Sequence, residues 1–137
     1  MYHYSARSKD NIETCHPNIQ RVLRKVLLKH DHVVLWGFRG QYEQDRAFSE
    51  GNSTKKYPHS KHNKMLSKAV DIAPYINGRM VNGDQEGDIE QICYFAGYVM
   101  AVADEMGVSL SWGGNWDGDE VILTDQKFDD LFHFELI

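Results

Sequence analysis

The sequence predicts an α+β fold, with a small, mostly antiparallel sheet packed against two or three helices. Three observations carry this. Apolar residues recur at helical spacing in two stretches, 17–30 and 88–106. Short β-branched and aromatic runs stand at 32–38, 69–75, 108–114 and the C-terminus. Helices and strands are mixed without a repeating β-α-β alternation, which argues against a parallel, doubly wound sheet.

The elements follow in order. From Pro17 to His30, Ile19, Val22, Leu23, Val26 and Leu27 form one apolar stripe, and Pro17 suits a first turn that needs no backbone N–H. "HVVLWGF" reads as a buried strand with Arg39 just past its end. "QYEQDRAFSEG" reads as a helix closed by Gly51, which tolerates the left-handed position there. Residues 51–68 are polar and read as a long loop, and a loop of that length in a small domain is usually functional. "AVDIAPY" reads as a strand that Pro74 ends, followed by a turn-rich connection. The clearest helix runs from Asp88, read as its cap, to Met106, with Gly107 as its stop. "VSLSWGG" and "LFHFELI" are the last strands, separated by an acidic loop.

Composition narrows the function classes. A chain of 137 residues fits one domain, 1–137, with a core of its own. The net charge of −5, with no basic run longer than Lys55-Lys56, argues against nucleic acid as a partner. No apolar stretch is long enough for a membrane span, and "MYHYSARSKDNIETCHP" has no apolar signal core. The expectation is a monomer made in a reducing cytosol, with Cys15 and Cys93 as free thiols.

Seven histidines invite a search for ligands. In the last strand, alternation puts Phe132 and Phe134 on the core face and His133 and Glu135 on the other. In "AVDIA", Asp71 shares a face with the small Ala69 and Ala73, while Val70 and Ile72 point to the core. His62 lies in the loop before that strand. If the two strands are neighbours, His62, Asp71 and His133 can meet. Two imidazoles and a carboxylate leave one tetrahedral position open, the ligand pattern of a catalytic zinc, which activates water and polarises a carbonyl. Asp130 or Glu135 would then move the proton. His3, His16, His30 and His32 read as surface or hydrogen-bonded core residues.

These residues also carry a resemblance. "SKHNKMLSKAVDIAPY", "WGGNWDGD" and "DDLFHFEL" are similar to the zinc peptidases that include bacterial D-alanyl-D-alanine carboxypeptidases and the L-alanyl-D-glutamate endopeptidase endolysins of phages. Ser60-Lys61-His62, Ala69-Val70-Asp71 and Asp130-Leu131-Phe132-His133 match the family's three separated pieces. The resemblance implies a fold of the hedgehog/D-Ala-D-Ala peptidase type and Zn²⁺ on His62, Asp71 and His133. It also implies Asp130 as general base then acid, and Arg39 as the residue that binds or polarises substrate. Ser60 and Trp112 become candidate substrate contacts, with Trp116 a further candidate. Eight residues separate His62 from Asp71, two more than the family's common form, and the surplus should bulge outward.

The implied function is cleavage of the peptidoglycan stem peptide by a phage endolysin, made in the host cytoplasm and reaching the wall through a holin lesion. A D-alanyl-D-alanine carboxypeptidase and a non-catalytic virion module on the same fold are the rivals. Separately, Asn115, Asp117 and Asp119 alternate oxygens as the start of a calcium loop does, although no glycine follows at the sixth place and no glutamate at the twelfth. They stand as a possible Ca²⁺ site.

Overall fold

A computed structural model describes residues 1–137. Its elements run α1 Ala6–Glu13, α2 Pro17–Leu27, β1 His32–Trp36, α3 Gln41–Ser49, β2 Ala69–Ile76, β3 Arg79–Met80, α4 Asp88–Glu105, β4 Leu110–Gly113 and β5 Asp130–Leu136. The sheet order is β1-β2-β5-β4, with β3 paired to β2 and every pairing antiparallel. This is the predicted α+β class, with four α-helices where two or three were expected.

The core lies between one face of the sheet and helices α2 and α4. Ile19, Val22, Leu23 and Val26 from α2 join Phe95, Ala96, Val99 and Ala103 from α4 over Val34, Val70, Ile72 and Phe134. Val70 and Ile72 are each 1% exposed. Burying each contributes about 2 kcal/mol, which fixes the register of β2 and so the position of Asp71 between them. Asp71 faces His133 across the β2–β5 ladder. That register is what joins two motifs far apart in sequence.

Helix α1 is not legible as an amphipathic stripe, because only Ser8 and Ile12 of it are buried. It docks through polar side chains instead. Ser8 Oγ accepts from the Val34 N–H at 3.0 Å, and Asn11 Nδ2 donates to the Val34 and Leu35 carbonyls at 2.8 and 3.1 Å. These bonds cover the free edge of β1, which would otherwise leave backbone groups unpaired.

Other departures have local causes. Strand β2 runs through Pro74 to Ile76. The Pro74 carbonyl accepts from Val81, and Tyr75 N–H donates to Asp31, so the proline interrupts little. Gly87, with φ 87°, caps α4 rather than Asp88. Asp88 faces back, accepting from the Gly83 and Gln85 N–H groups and from Arg79 at 2.6 Å. Helix α2 ends at Leu27, three residues short of His30. Alternation in β5 also breaks. The β4–β5 pairing shifts between Trp112 and Gly113, so Leu131 packs on the core and Phe132 lines a cleft instead of sharing the face of Phe134.

Candidate metal centre

Three elements each deliver one donor. A 3-10 turn at Lys61–Asn63 presents His62, β2 presents Asp71 and β5 presents His133. His62 Nε2 lies 3.2 Å from Asp71 Oδ1 and 3.3 Å from His133 Nδ1, and His133 Nδ1 lies 3.2 Å from Asp71 Oδ1. Three ligand atoms on a tetrahedral zinc at its usual bond lengths sit about 3.3–3.4 Å apart. The triangle therefore has the dimensions of one face of such a site.

The protons on the two rings are set from outside the triangle. His62 Nδ1 is 2.8 Å from the Gly37 carbonyl. A carbonyl only accepts, so Nδ1 carries the proton and Nε2 offers its lone pair. On His133 the nitrogens trade roles. Nε2 donates to Glu135 Oε1 at 2.8 Å, so Nδ1 is the nitrogen that faces the triangle. Glu135 is itself held by Lys61 Nζ at 2.9 Å. Burial works to raise the Glu135 carboxyl, but the bonds from His133 and Lys61 prevail and hold it down near 2. Such outer partners orient ligands and raise their basicity.

Asp71 is held by its second oxygen. Arg39 Nη2 reaches Oδ2 at 3.2 Å, leaving Oδ1 to the triangle. Burial would push the Asp71 carboxyl up, yet the two imidazoles keep it far below the usual carboxylate range. Burial would likewise lower His133, but hydrogen bonds to Asp71 and Glu135 raise it to about 9 in the absence of a cation. Arg39 also donates to Gln44 Oε1 at 3.1 Å and lies over the Trp36 ring at 5.4 Å. Gln44, completely buried, also binds Ser53 Oγ at 3.0 Å and the Lys55 carbonyl at 2.6 Å. It ties the arginine to the loop after α3, and no sequence pattern marks it.

Asp130 stands beside the triangle, with Oδ2 3.9 Å from His133 Nδ1. Burial and the charge of Asp71 raise its carboxyl to about 6. A carboxyl poised there can both take and return a proton near neutral pH. Asp130, Asp71 and Arg39 open onto a cleft of about 500 Å³ that Trp36, Tyr42 and Phe132 also line. The geometry suits metal-assisted hydrolysis, with three potential donors on one side and the Asp130 carboxyl on the open side.

Residues 1–137 match the model of a family described as phage L-alanyl-D-glutamate peptidase. The chain belongs to this family. It is 26% identical over 118 residues to the L-alanyl-D-glutamate peptidase of Escherichia phage T5, spanning 85% of this chain and 82% of that protein. It also superimposes on the crystal structure of the Serratia marcescens L-Ala D-Glu endopeptidase ChiX with a TM-score of 0.71. That match has 26% identity and covers 98% of this chain and 89% of the other. As a member of this peptidase family the chain is an enzyme, a hydrolase of peptidoglycan.

In this family member the remaining expected residues take different places. Ser60 Oγ accepts from the His62 N–H at 3.2 Å, so its hydroxyl shapes the turn that presents a donor before it can meet substrate. Trp112 is 5% exposed, stacks near Phe134 and donates to the Leu131 carbonyl at 2.9 Å. It is a core ring, whereas Trp116 lies 5.5 Å from the His133 ring. The two surplus residues between His62 and Asp71 do bulge, with Lys64, Met65 and Leu66 exposed.

The acidic loop brings Asp117, Asp119 and Asp125 within 4.8 Å, all exposed. Asn115 turns its amide to the Asp119 carbonyl at 2.8 Å, and Asp125 stands in the cluster where Asn115 was expected. Exposed carboxylates of this kind are common on loops without an ion, and nothing in the geometry singles out calcium. Cys15 and Cys93 are free thiols, and no helix is long and apolar enough to cross a membrane.

Proposed function

We propose that the chain is a zinc-dependent endopeptidase cutting the L-alanyl-D-glutamate bond of the peptidoglycan stem peptide, with His62 Nε2, Asp71 Oδ1 and His133 Nδ1 as metal ligands. The observation that carries this is the triangle of 3.2–3.3 Å edges beside the Asp130 carboxyl. Zinc bound there supplies a Lewis acid that polarises the scissile carbonyl and lowers the pKa of a bound water.

The chain's own residues do the rest. Asp130 accepts the proton of the attacking water and passes it to the leaving amine of the glutamyl residue. Arg39 holds Asp71 to a single ligating oxygen, and its guanidinium is the cation nearest a developing oxyanion or a substrate carboxylate in the cleft. Gly37 and Glu135 fix the two imidazoles. Phe132 lines the cleft, and Trp116 lines the smaller cavity beside His62 and His133. The one domain, 1–137, acts as a monomeric endolysin, made in the host cytoplasm and reaching the wall after holin opens the membrane.

The test is digestion of purified peptidoglycan with the chain before and after chelation, with metal analysis of the active sample. One equivalent of zinc and new N-terminal glutamate are expected, both lost on chelation and restored by zinc. Released D-alanine instead would make the chain a carboxypeptidase on the same scaffold. Full lysis without metal would overturn the reading.

A further inference from the structure

The chain has a net charge of −5, yet between Gly51 and Val70 it carries Lys55, Lys56, Lys61, Lys64 and Lys68 and no acidic residue. The loop that precedes β2 is thus locally positive, as is the stretch from helix α2 to just past its end with Arg21, Arg24, Lys25 and Lys29, but only the loop adjoins the site. A run of lysines is commonly only a solvated face, so its placement decides. Three observations separate this run from that case.

The loop is part of the site wall. Lys55, Ser60, Lys61 and His62 line one small cavity together with Trp116, Asp130 and His133. The loop is also fixed in place. Buried Gln44 grips Ser53 and the Lys55 carbonyl with the same side chain that holds Arg39, and Asn63 Nδ2 donates to the Arg39 carbonyl at 2.9 Å. Finally, Lys61 is committed to Glu135, whereas Lys55 and Lys56 are exposed and bind no carboxylate. Lys56 Nζ lies over the exposed Phe48 ring at 5.1 Å, which keeps it near the α3 end of the cleft. The result is two cations without a carboxylate partner on a pinned loop, Lys55 lining the cavity beside His62 and His133 and Lys56 next to it over Phe48.

We infer that Lys55 and Lys56 form a docking surface for the carboxylates of the peptidoglycan polymer, outside the stem peptide that enters the cleft. The inference rests on the proposed peptidase reading and extends it to how an acidic protein approaches an acidic polymer. Two like-charged partners repel at long range, and a local patch of opposite sign sets the orientation of encounter. Placed at the rim, it would bring stem peptides to the one side of the molecule that can cut them. Because the contacts are exposed, they are screened as the Debye length falls from ~30 Å at 0.01 M salt to ~8 Å at 0.15 M.

The experiment uses the full chain with Lys55→Gln and Lys56→Gln combined. A control carries Lys25→Gln and Lys29→Gln, the same charge change at exposed lysines that line neither cavity at the site, Lys25 being paired with Glu105. Co-sedimentation with purified sacculi at low salt should weaken about fivefold for the rim variant and much less for the control, as expected for exposed charge pairs. Sacculi whose carboxyls have been amidated should bind wild type and rim variant alike. Cleavage of a soluble stem tetrapeptide, read in parallel, reports on the peptidase reading alone. If wild type cuts the tetrapeptide but both variants bind sacculi equally, the docking role fails and the peptidase stands. If wild type leaves the tetrapeptide intact, the peptidase reading fails, whatever the binding. Preference of the lysine pair for phosphatidylglycerol vesicles over sacculi would also overturn the docking role.

Discussion

His133 and Glu135 face the same side of β5, and Nε2 of the one donates to Oε1 of the other at 2.8 Å. Glu135 thereby decides which nitrogen of His133 faces the triangle. Glu135→Ala removes that constraint and leaves Lys61 without its partner. Zinc affinity, measured by competition with a chromophoric chelator, should fall about 10–100-fold. Glu135→Gln retains an oxygen acceptor for the imidazole, so it should lose less. Equal affinities in all three proteins would show that the bond is incidental.

Asp130 makes the opposite prediction. It neighbours the ligands but lies outside the triangle, so Asp130→Asn should bind one zinc as wild type does. Its peptidoglycan cleavage should nevertheless fall by about 10²–10⁴. The acid limb of kcat/KM should lie at or below about 6, where burial and Asp71 place this carboxyl, because a bound cation would work against the Asp71 charge. Zinc-replete Asp130→Asn with full activity would exclude it as the proton carrier.

The sequence makes the proposed ligands easier to find than their surroundings. Alternation in "AVDIA" and "FHFEL" puts Asp71 and His133 on faces opposite the apolar residues, and an antiparallel neighbour relation then brings them together. That logic needs only period-two patterning. It failed at Phe132 because a shift in pairing is set by how β4 and β5 meet, which no local pattern encodes. It also failed for α1, whose polar residues bind the β1 edge instead of burying an apolar stripe. Gln44 and Gly37 were invisible for a related reason. Their value lies in partners 11 and 25 residues away. Trp112 and Trp116 carry the same ring, and only tertiary position separates the buried one from the one beside His133.

His32 gives a pH dependence that is independent of the metal. Its Nδ1 donates to the His30 carbonyl at 2.9 Å, and Nε2 accepts from the Tyr4 hydroxyl at 2.7 Å. The ring is 2% exposed, and burial lowers its pKa to about 4. A histidine whose folded pKa is depressed stabilises the fold above its unfolded value of about 6.5 and loses that contribution as pH falls toward its folded pKa. The full contribution is about 3 kcal/mol, declining from near pH 6.5 down to near pH 4. Denaturant unfolding of the metal-free chain at a series of pH values should show this decline, and His32→Gln should flatten it. An unchanged slope in the variant would assign acid lability to the carboxylates instead.

Gly113 tests whether Asp130 is held by backbone contact. A β-carbon there would overlap the Asp130 carbonyl oxygen and lie 2.9 Å from its Cβ. Both contacts are to atoms that cannot swing away, so Gly113→Ala must push the start of β5 off β4. Overpacking of this kind costs about 1–3 kcal/mol. The displaced residue is the proposed proton carrier, whereas His133 is three positions further along and is anchored by its pairing with Asp71. The variant should therefore keep most of its zinc affinity while cleavage drops well beyond what its lost stability explains. Assays far below the unfolding temperature, with circular dichroism on the same sample, separate the two effects. If zinc binding and cleavage decline in proportion, Gly113 supports the site as a whole and gives Asp130 no separate support.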